Sequence, residues 1–245
     1  MKKKVNYKTI VISDVHLGTK SSKAKELLHF LRFNSCSKLV LNGDIIDGWR
    51  IQRSGRWDKH HTSVLKHLIK MVEKHKTQII YVRGNHDDFL DKILPMSFGK
   101  LSILREYYHY SGNKKYLVTH GDIFDHITTH LRWLAKLGDL GYIILLWINK
   151  TYNNQRLRQG KPYYSISKVI KHKVKLAVSY ISGFENAIKK LAILRGCDGV
   201  ICGHVHHPAI VKDEKIIYMN SGDWVESLSA LVEDFDGEWS IKYYK

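Results

Sequence analysis

The chain has 245 residues, enough for one α/β domain with a sizeable core and an insertion, and short for two comparable domains. Lys and Arg number 40 against 23 Asp and Glu, a formal charge of +17, which points to an anionic partner such as phosphate groups, nucleic acid or a membrane surface without choosing among them. Cys36, Cys197 and Cys202, odd in number and without paired spacing, argue against a disulfide scaffold and read as reduced core residues of a cytosolic protein. The apolar run 9–12 is too short for a signal-peptide core. The longest apolar stretch, 142–148, falls well below the ~20 residues of a spanning helix. The expectation is a soluble, cytoplasmic protein that at most attaches to the inner face of the cell membrane.

In chain order, the first apolar run, Ile10-Val-Ile, breaks into Ser-Asp14-Val-His16. Residues 21–34 place Leu27, Leu28 and Leu31 at helical spacing, an amphipathic helix covering a sheet. A strand over 38–42 delivers Asp44 and Asp47. Helical periodicity over 59–76 runs through Val64, Leu65, Leu68, Ile69 and Val72, and a strand over 78–83 delivers Asn85 and His86. Strands separated by helices predict βαβ units, with functional groups in loops beyond the carboxyl ends of the strands. A strand over 115–119 delivers His120 and Asp122.

Residues 126–197 read as a helical insertion, or cap, within a single domain spanning 1–245. Between His126 and Arg195 thirteen Lys and Arg face only Asp139 and Glu185, about +11 of the total charge. Gly160-Lys-Pro162 divides this span into two helical arms. The sheet resumes at 199–202 and runs into Gly203-His204-Val-His206; 215–220, 227–233 and 238–244 read as short closing strands.

Asp14, His16, Asp44, Asn85, His120, His204 and His206 thus stand at strand ends. Seven nitrogen and oxygen donors are too many for one catalytic ion with an open position, and suit two ions sharing a bridging carboxylate. No thiolate takes part, so imidazole with carboxylate favours Mn, Fe or Zn over Mg or Ca.

Asp14-Val-His16, Gly43-Asp44-Ile-Ile-Asp47, Gly84-Asn85-His86-Asp87, His120 and Gly203-His204-Val-His206 together resemble the five ordered motifs of the calcineurin-like metallophosphoesterases. The resemblance implies an α/β/β/α sandwich. It also implies one ion held by Asp14, His16, Asp44 and His206, and a second by Asp44, Asn85, His120 and His204. Mn is the first choice of metal, with Fe or Zn next. Two such ions activate a water and clamp phosphoryl oxygens for in-line attack. His86 is the expected catalytic donor to the leaving oxygen, and Asp47 the carboxylate that orients it.

Within that superfamily the layout is similar to the UDP-2,3-diacylglucosamine pyrophosphatases of lipid A synthesis. The features that carry this are the length, Gly48-Trp49, the basic insertion and Ser221-Gly-Asp-Trp224. The resemblance implies cleavage of a UDP-sugar lipid to UMP and an acylated sugar phosphate. Arg156, Arg158, Lys161, Lys168 and Lys171 would meet a diphosphate or anionic lipid head groups. The best-known members of that group carry arginine where this chain has His86. A phosphodiesterase acting on nucleic acid is the enzymatic alternative, disfavoured because no nucleic-acid module is recognisable. A non-catalytic scaffold would have lost ligands, and none is missing.

Several residues have plainer readings. Asp122 and Asp125 are either supports of the site or helix N-caps, and His126 and His130 mark a solvated helix face. His60 and His61 read as surface residues, and Asp88 as a helix cap. Trp49, Trp57 and Trp224 either line a cleft or pack in the core.

Overall fold

The strands Val5–Ile12 (β1), Asn34–Asn42 (β2) and Gln78–Val82 (β3) are the apolar runs noted above, and they lie side by side in parallel. Alternate residues of each strand point to opposite faces, so each run buries two surfaces. Ile10, Ile12, Leu39, Leu41, Ile79 and Tyr81 face the helices Ala24–Phe33 (α1) and Lys59–Glu73 (α3), through Leu27, Leu28, Leu31, Val64, Leu68 and Met71. Val11, Val40, Ile80 and Val82 face the other way, against a second sheet. The computed structural model describes residues 4–54, 56–124 and 167–245, of which 54 and 167–179 are described by their backbone alone.

The remaining described strands are Met96–Phe98 (β4), Leu101–Leu104 (β5), Tyr107–Ser111 (β6), Lys114–Val118 (β7), Gly199–Cys202 (β8), Ala209–Lys212 (β9), Ile217–Asn220 (β10), Ser229–Glu233 (β11) and Trp239–Tyr243 (β12). They complete a seven-stranded sheet ordered β12-β11-β1-β2-β3-β5-β4 and a five-stranded sheet ordered β6-β7-β8-β10-β9. Tyr116, Val118, Ile201 and Met219 of the second sheet close the inter-sheet core. On its outer face Tyr218 lies under Lys189, whose Nζ is 5.7 Å from the ring, and Ile188 and Ala192 are buried beside it. These three residues belong to the end of the helix Ser167–Leu194 (α4). Helix, sheet, sheet, helix is the layering the motifs imply.

The chain divides into two compact units, residues 1–122 with 188–245, and residues 123–187. Residues 125–166, most of the predicted insertion including its break at Gly160-Lys-Pro162, lie outside the described residues. No helix among the described residues is long and apolar enough to cross a membrane.

Several elements differ from the sequence expectation. β1 begins at Val5, earlier than the apolar run, because Tyr7 and Thr9 alternate into the interior. No loop separates α1 from β2: Asn34 turns extended, and its N–H still bonds the Phe30 carbonyl. The short helix Gly48–Ser54 (α2) and strands β4, β5, β6 and β9 carry no strong periodicity, since they are short or lie at sheet edges. His61 is buried, a correction to its surface reading: it closes a capping box with Asp58, whose Oδ1 accepts from the His60 and His61 amides.

Glu233 ties the two sheets together. Its Oε1 accepts from Lys8 Nζ (2.7 Å) and Ser111 Oγ (2.5 Å), and its Oε2 lies 3.0 Å from His109 Nε2. Burial alone would raise its pKa, but hydrogen bonds from His109, Lys8 and Ser111 outweigh burial and hold it at about 2. A depressed carboxyl pKa supplies stability that is complete above the ordinary glutamate range and is lost as pH falls through about 2. Denaturant titrations at stepped pH are therefore expected to show an acid-labile component of about 3 kcal/mol that Glu233→Gln abolishes. An unchanged acid limb in the variant would remove Glu233 from that role.

Candidate metal centre

Beyond the carboxyl ends of β1, β2 and β8 the backbone turns through a conformation that L-residues rarely adopt. Asp14 (φ 51°), His16 (50°), Asp44 (54°), His204 (68°) and His206 (52°) all lie in the left-handed region. Each such residue costs roughly 1–3 kcal/mol and persists where the surroundings over-determine it. Here they do. The Asp14 amide donates to the Gly43 carbonyl (3.0 Å), the Val15 and His16 amides both reach the Asp44 carbonyl (2.9 Å each), and the Trp224 amide binds the Asp14 carbonyl (3.0 Å). The Gly203 amide in turn donates to the His120 carbonyl at 3.1 Å, which ties the loops after β7 and β8.

Three glycines make the approach of these loops possible. A Cβ on Gly43 would stand 2.3 Å from His120 Nδ1, one on Gly84 2.3 Å from Asp44 Oδ1, and one on Gly203 2.6 Å from Asp14 Oδ2. Each glycine belongs to a motif, and each is where backbone meets a functional side chain from another strand end.

The side chains converge on two carboxylates. Asp44 Oδ2 lies 3.4 Å from His120 Nε2 and 3.9 Å from both His16 Nε2 and His86 Nε2, while Asp44 Oδ1 accepts from the His86 amide at 2.8 Å. Asp14 Oδ1 lies 3.1 Å from His206 Nε2, and Asp14 Oδ2 accepts from the His204 amide at 3.0 Å. His204 Nδ1 is 3.3 Å from His120 Nε2. His120 Nδ1 lies 2.9 Å from the Asn42 carbonyl oxygen, so Nδ1 carries a proton and Nε2 is the nitrogen turned to Asp44, the one a cation would take. Asp47 Oδ2 stands between two imidazoles, 3.2 Å from His86 Nδ1 and 3.6 Å from His16 Nδ1, and its Oδ1 caps α2 through the Arg50 amide.

Donor atoms within 4.8 Å of one another form three groups: Asp14, His16 and His206; Asp14, Asp44 and His120; and His16, Asp44 and His86. The first holds three of the four ligands implied for one ion, and the second holds Asp44 and His120 of the other set together with Asp14, while His204 falls in none of the three. The third places His86 at the edge of the donor cluster, nearer to ligation than the sequence suggested. The donor set fits divalent cations. Asn85 Oδ1 is a buried acceptor that no hydrogen-bond donor satisfies, and a neutral amide oxygen in that state suits a cation.

The electrostatics agree. Burial would raise the Asp14 pKa, but His206, His120 and His16 more than compensate and hold it well below the carboxylate range. Burial and Asp14 likewise push Asp44 up, and His120 and His16 bring it down further. Burial opposes charge on the imidazoles too, yet Asp44 and Asp14 lift His120 to about 10, and Asp14 with Asp223 and Asp44 lifts His206 to about 9. Two buried carboxylates kept ionised demand compensating positive charge, which protons on these imidazoles or divalent cations in their place can supply.

Sequence reasoning missed the residues that hold the loops. Asp87 accepts from the Ile45 (3.2 Å), Ile46 (2.9 Å) and Gly84 (3.3 Å) amides and from Tyr81 Oη (2.7 Å), pinning the second motif to the third; burial and Asp44 raise its pKa to about 6. Asn42 donates to the Thr119 carbonyl (3.2 Å) across the two sheets. Their places, ending Gly-Asn-His-Asp and preceding Gly-Asp, are the only signal the sequence offers for them. Asp122 pairs with Arg83, which also binds Asp91. Asp88 accepts from Trp49 Nε1 (2.9 Å) instead of capping a long helix, and the Trp49 ring lies 4.5 Å from that of His86. Trp224 is core, packed on Phe30. Asp125, His126, His130, Arg156, Arg158 and Lys161 lie outside the described residues, as do the side chains of Lys168 and Lys171 on α4.

Replacing Gly43 by Ala is expected to weaken Mn²⁺ binding at least ~10-fold by calorimetric titration, because the added methyl collides with His120. Gly183→Ala, where nothing lies within 4 Å, is expected to leave it unchanged. Equal affinities in the two variants would show that the close approach is not required.

A family model for calcineurin-like phosphoesterases matches residues 7–208, a span that contains all seven proposed ligands. Among curated proteins no relative is detected. Similar solved structures include an archaeal phosphodiesterase (14% identity, 96% of this chain and 98% of that one, TM-score 0.46). Others are the E. coli phosphoesterase YfcE (15%, 97% and 99%, 0.45) and a single mutant of Vps29 from Entamoeba histolytica (13%, 96% and 96%, 0.41). With its motifs gathered at one end of the sandwich and the family model spanning most of its length, the chain belongs to the calcineurin-like phosphoesterase family.

Proposed function

We propose that the chain is a dinuclear metal-dependent hydrolase that cleaves the diphosphate of a UDP-sugar lipid, UDP-2,3-diacylglucosamine or a close analogue, to UMP and the acylated sugar 1-phosphate. The observation that carries the hydrolytic reading is the pair of buried, ionised carboxylates Asp14 and Asp44 inside a ring of imidazoles, with Asn85 Oδ1 lacking a partner. Asp14, His16, Asp44 and His206 would hold one ion and Asp44, Asn85, His120 and His204 the other, with Mn the first choice. Bound there, two divalent ions supply a nucleophilic water near neutral pH and neutralise phosphoryl oxygens.

The chain's own residues do the rest. The Asp44 carboxylate lies 3.4–3.9 Å from the imidazoles of His16, His86 and His120 and accepts from the His86 amide. Burial opposes a proton on His86, but Asp47 and Asp44 outweigh it and raise the pKa, so the ring retains a proton for the leaving oxygen. Asp47 Oδ2 stands 3.2 Å from His86 Nδ1 and attracts that side of the ring, and the exposed Trp49 ring packs against it. Trp49 offers a flat apolar surface beside the reaction centre, suited to a planar base. The substrate assignment also draws on the sequence of 126–197, where Trp133, Leu134, Leu137 and Trp147 stand among thirteen cations, a composition that suits acyl chains and an anionic membrane surface. A phosphodiesterase acting on nucleic acid is the second reading, favoured by His86, since a histidine donor serves any alkoxide leaving group.

Asp44→Asn is expected to abolish Mn²⁺-dependent turnover while circular dichroism stays unchanged; retained turnover would defeat the catalytic reading. His86→Gln is expected to lower turnover of an alkyl phosphoester by about 10²–10⁴, and far less for a p-nitrophenyl ester whose leaving group needs no proton. Equal losses on both esters would assign His86 to ligation. UMP release from the diacylated UDP-sugar, measured beside cleavage of single- and double-stranded DNA, separates the two substrates.

A further inference from the structure

At the amino ends of β1, β2, β3 and β5, on the edge of the seven-stranded sheet opposite the metal centre, the surface sinks into a depression of about 890 Å³. Lys4, Lys74, Lys76 and Lys100 line it, with the neutral groups of Asn6, Ser35, Ser37 and Gln78 between them. A second depression of about 510 Å³ adjoins the first, shares Lys4 and His75, and adds Arg32, Lys66 and Lys70. No acidic residue lines either one. At about 3.3 Å per residue, the nine residues of β2 put this groove some 25–30 Å from Asp44.

Six other cations among the described residues sit beside carboxylates: Lys8 by Glu233, Arg83 by Asp91 and Asp122, Arg105 by Asp91, Lys189 by Asp213, Arg195 by Glu106 and Lys212 by Glu238. Among the described residues, none of the seven groove cations has a carboxylate within 4.0 Å. Their field is felt at His67, which lines the second depression: burial lowers its pKa, and against the Leu31 backbone, which raises it, Arg32 and Lys70 lower it further. Like charges gathered without counter-ions repel, and a polyanion laid along them relieves that repulsion and releases its own condensed cations.

The shape selects among polyanions. A bilayer is flat, and peripheral attachment to it relies on apolar side chains entering the acyl boundary, whereas this surface is concave and polar. Duplex DNA, with a persistence length of about 50 nm, does not bend into a short concavity. A single strand does. Neither depression is lined by Phe, Tyr or Trp, the rings on offer being the imidazoles of His67 and His75, and the hydroxyls and amides between the lysines suit phosphate oxygens.

We propose that this groove binds single-stranded nucleic acid through its phosphodiester backbone, without reading the bases. The site is remote from the metal centre and its existence does not depend on which phosphoester that centre cleaves.

The test is fluorescence anisotropy of the full chain with a mixed-sequence, nuclease-resistant phosphorothioate single strand at stepped salt. Lys4→Glu, Lys70→Glu and Lys74→Glu combined should weaken binding at least ~10-fold and lower the slope of log K against log salt by about 2, near 0.7 for each lost phosphate contact. Lys25→Glu, Lys215→Glu and Lys242→Glu combined make the same charge change elsewhere on the surface and should cost much less. Both triples should keep wild-type melting temperature and Mn²⁺-dependent turnover of a small p-nitrophenyl phosphodiester. Absence of binding by the wild type, equal losses in the two triples, or an unaltered salt slope would overturn the proposal. So would loss confined to a duplex or to phosphatidylserine vesicles, the latter marking the groove as a membrane contact.

Discussion

Two carboxylates, Asp14 and Asp44, are buried together at touching loop corners, and both are held ionised. Carboxylates in such a place repel each other and have lost their water, so the fold must bring positive charge or cations to them. Every other feature of the site answers that requirement. Imidazoles arrive from the loops after β1, β3, β7 and β8, that is, from both sheets, and the strand ends converge because the sheets pack face to face through Val11, Val40, Ile80, Val118 and Ile201. The core is thus the frame that sets where the donors lie.

The energetic cost of the arrangement is visible in the backbone. Five of the seven proposed ligands occupy the left-handed region, and three motif glycines sit where any Cβ would collide with a ligand side chain. Hydrogen bonds that continue the β1–β2 pairing past the strand ends hold the first two loops, and Asp87 holds the second against the third. The rigidity this produces is what a dinuclear centre needs, since ligand positions must be kept within a fraction of an ångström before any ion arrives.

The seven-stranded sheet gives this unit two chemically different edges. Carboxyl ends of parallel strands carry the His and Asp donors, in keeping with the general placement of sites in α/β folds. Amino ends carry lysines and neutral donors around depressions that no acid lines. A single net charge of +17 conceals this division, because it sums over both edges.

Much of this was legible in the chain itself. Apolar runs such as Ile10-Val-Ile and Leu39-Val-Leu, short, rich in β-branched residues and ended by Gly-bearing turns, fit strands buried on both faces, and an abrupt change to Asp, Asn or His beside Gly marks their ends, so the layered fold, the donors and the family could be read from local pattern. Short edge strands such as β4 and β9, the burial of His61 and the bonds made by Asp87 and Asn42 could not, because they depend on what lies across the sandwich. The basic groove was hidden for the same reason: Lys4, Lys74 and Lys100 are far apart in sequence and meet only when parallel strands align their amino ends. Residue order decided which chemistry the strand ends carry; packing of the two sheets decided which ends meet, since contact between distant segments is set by tertiary geometry and leaves no periodic trace in the sequence.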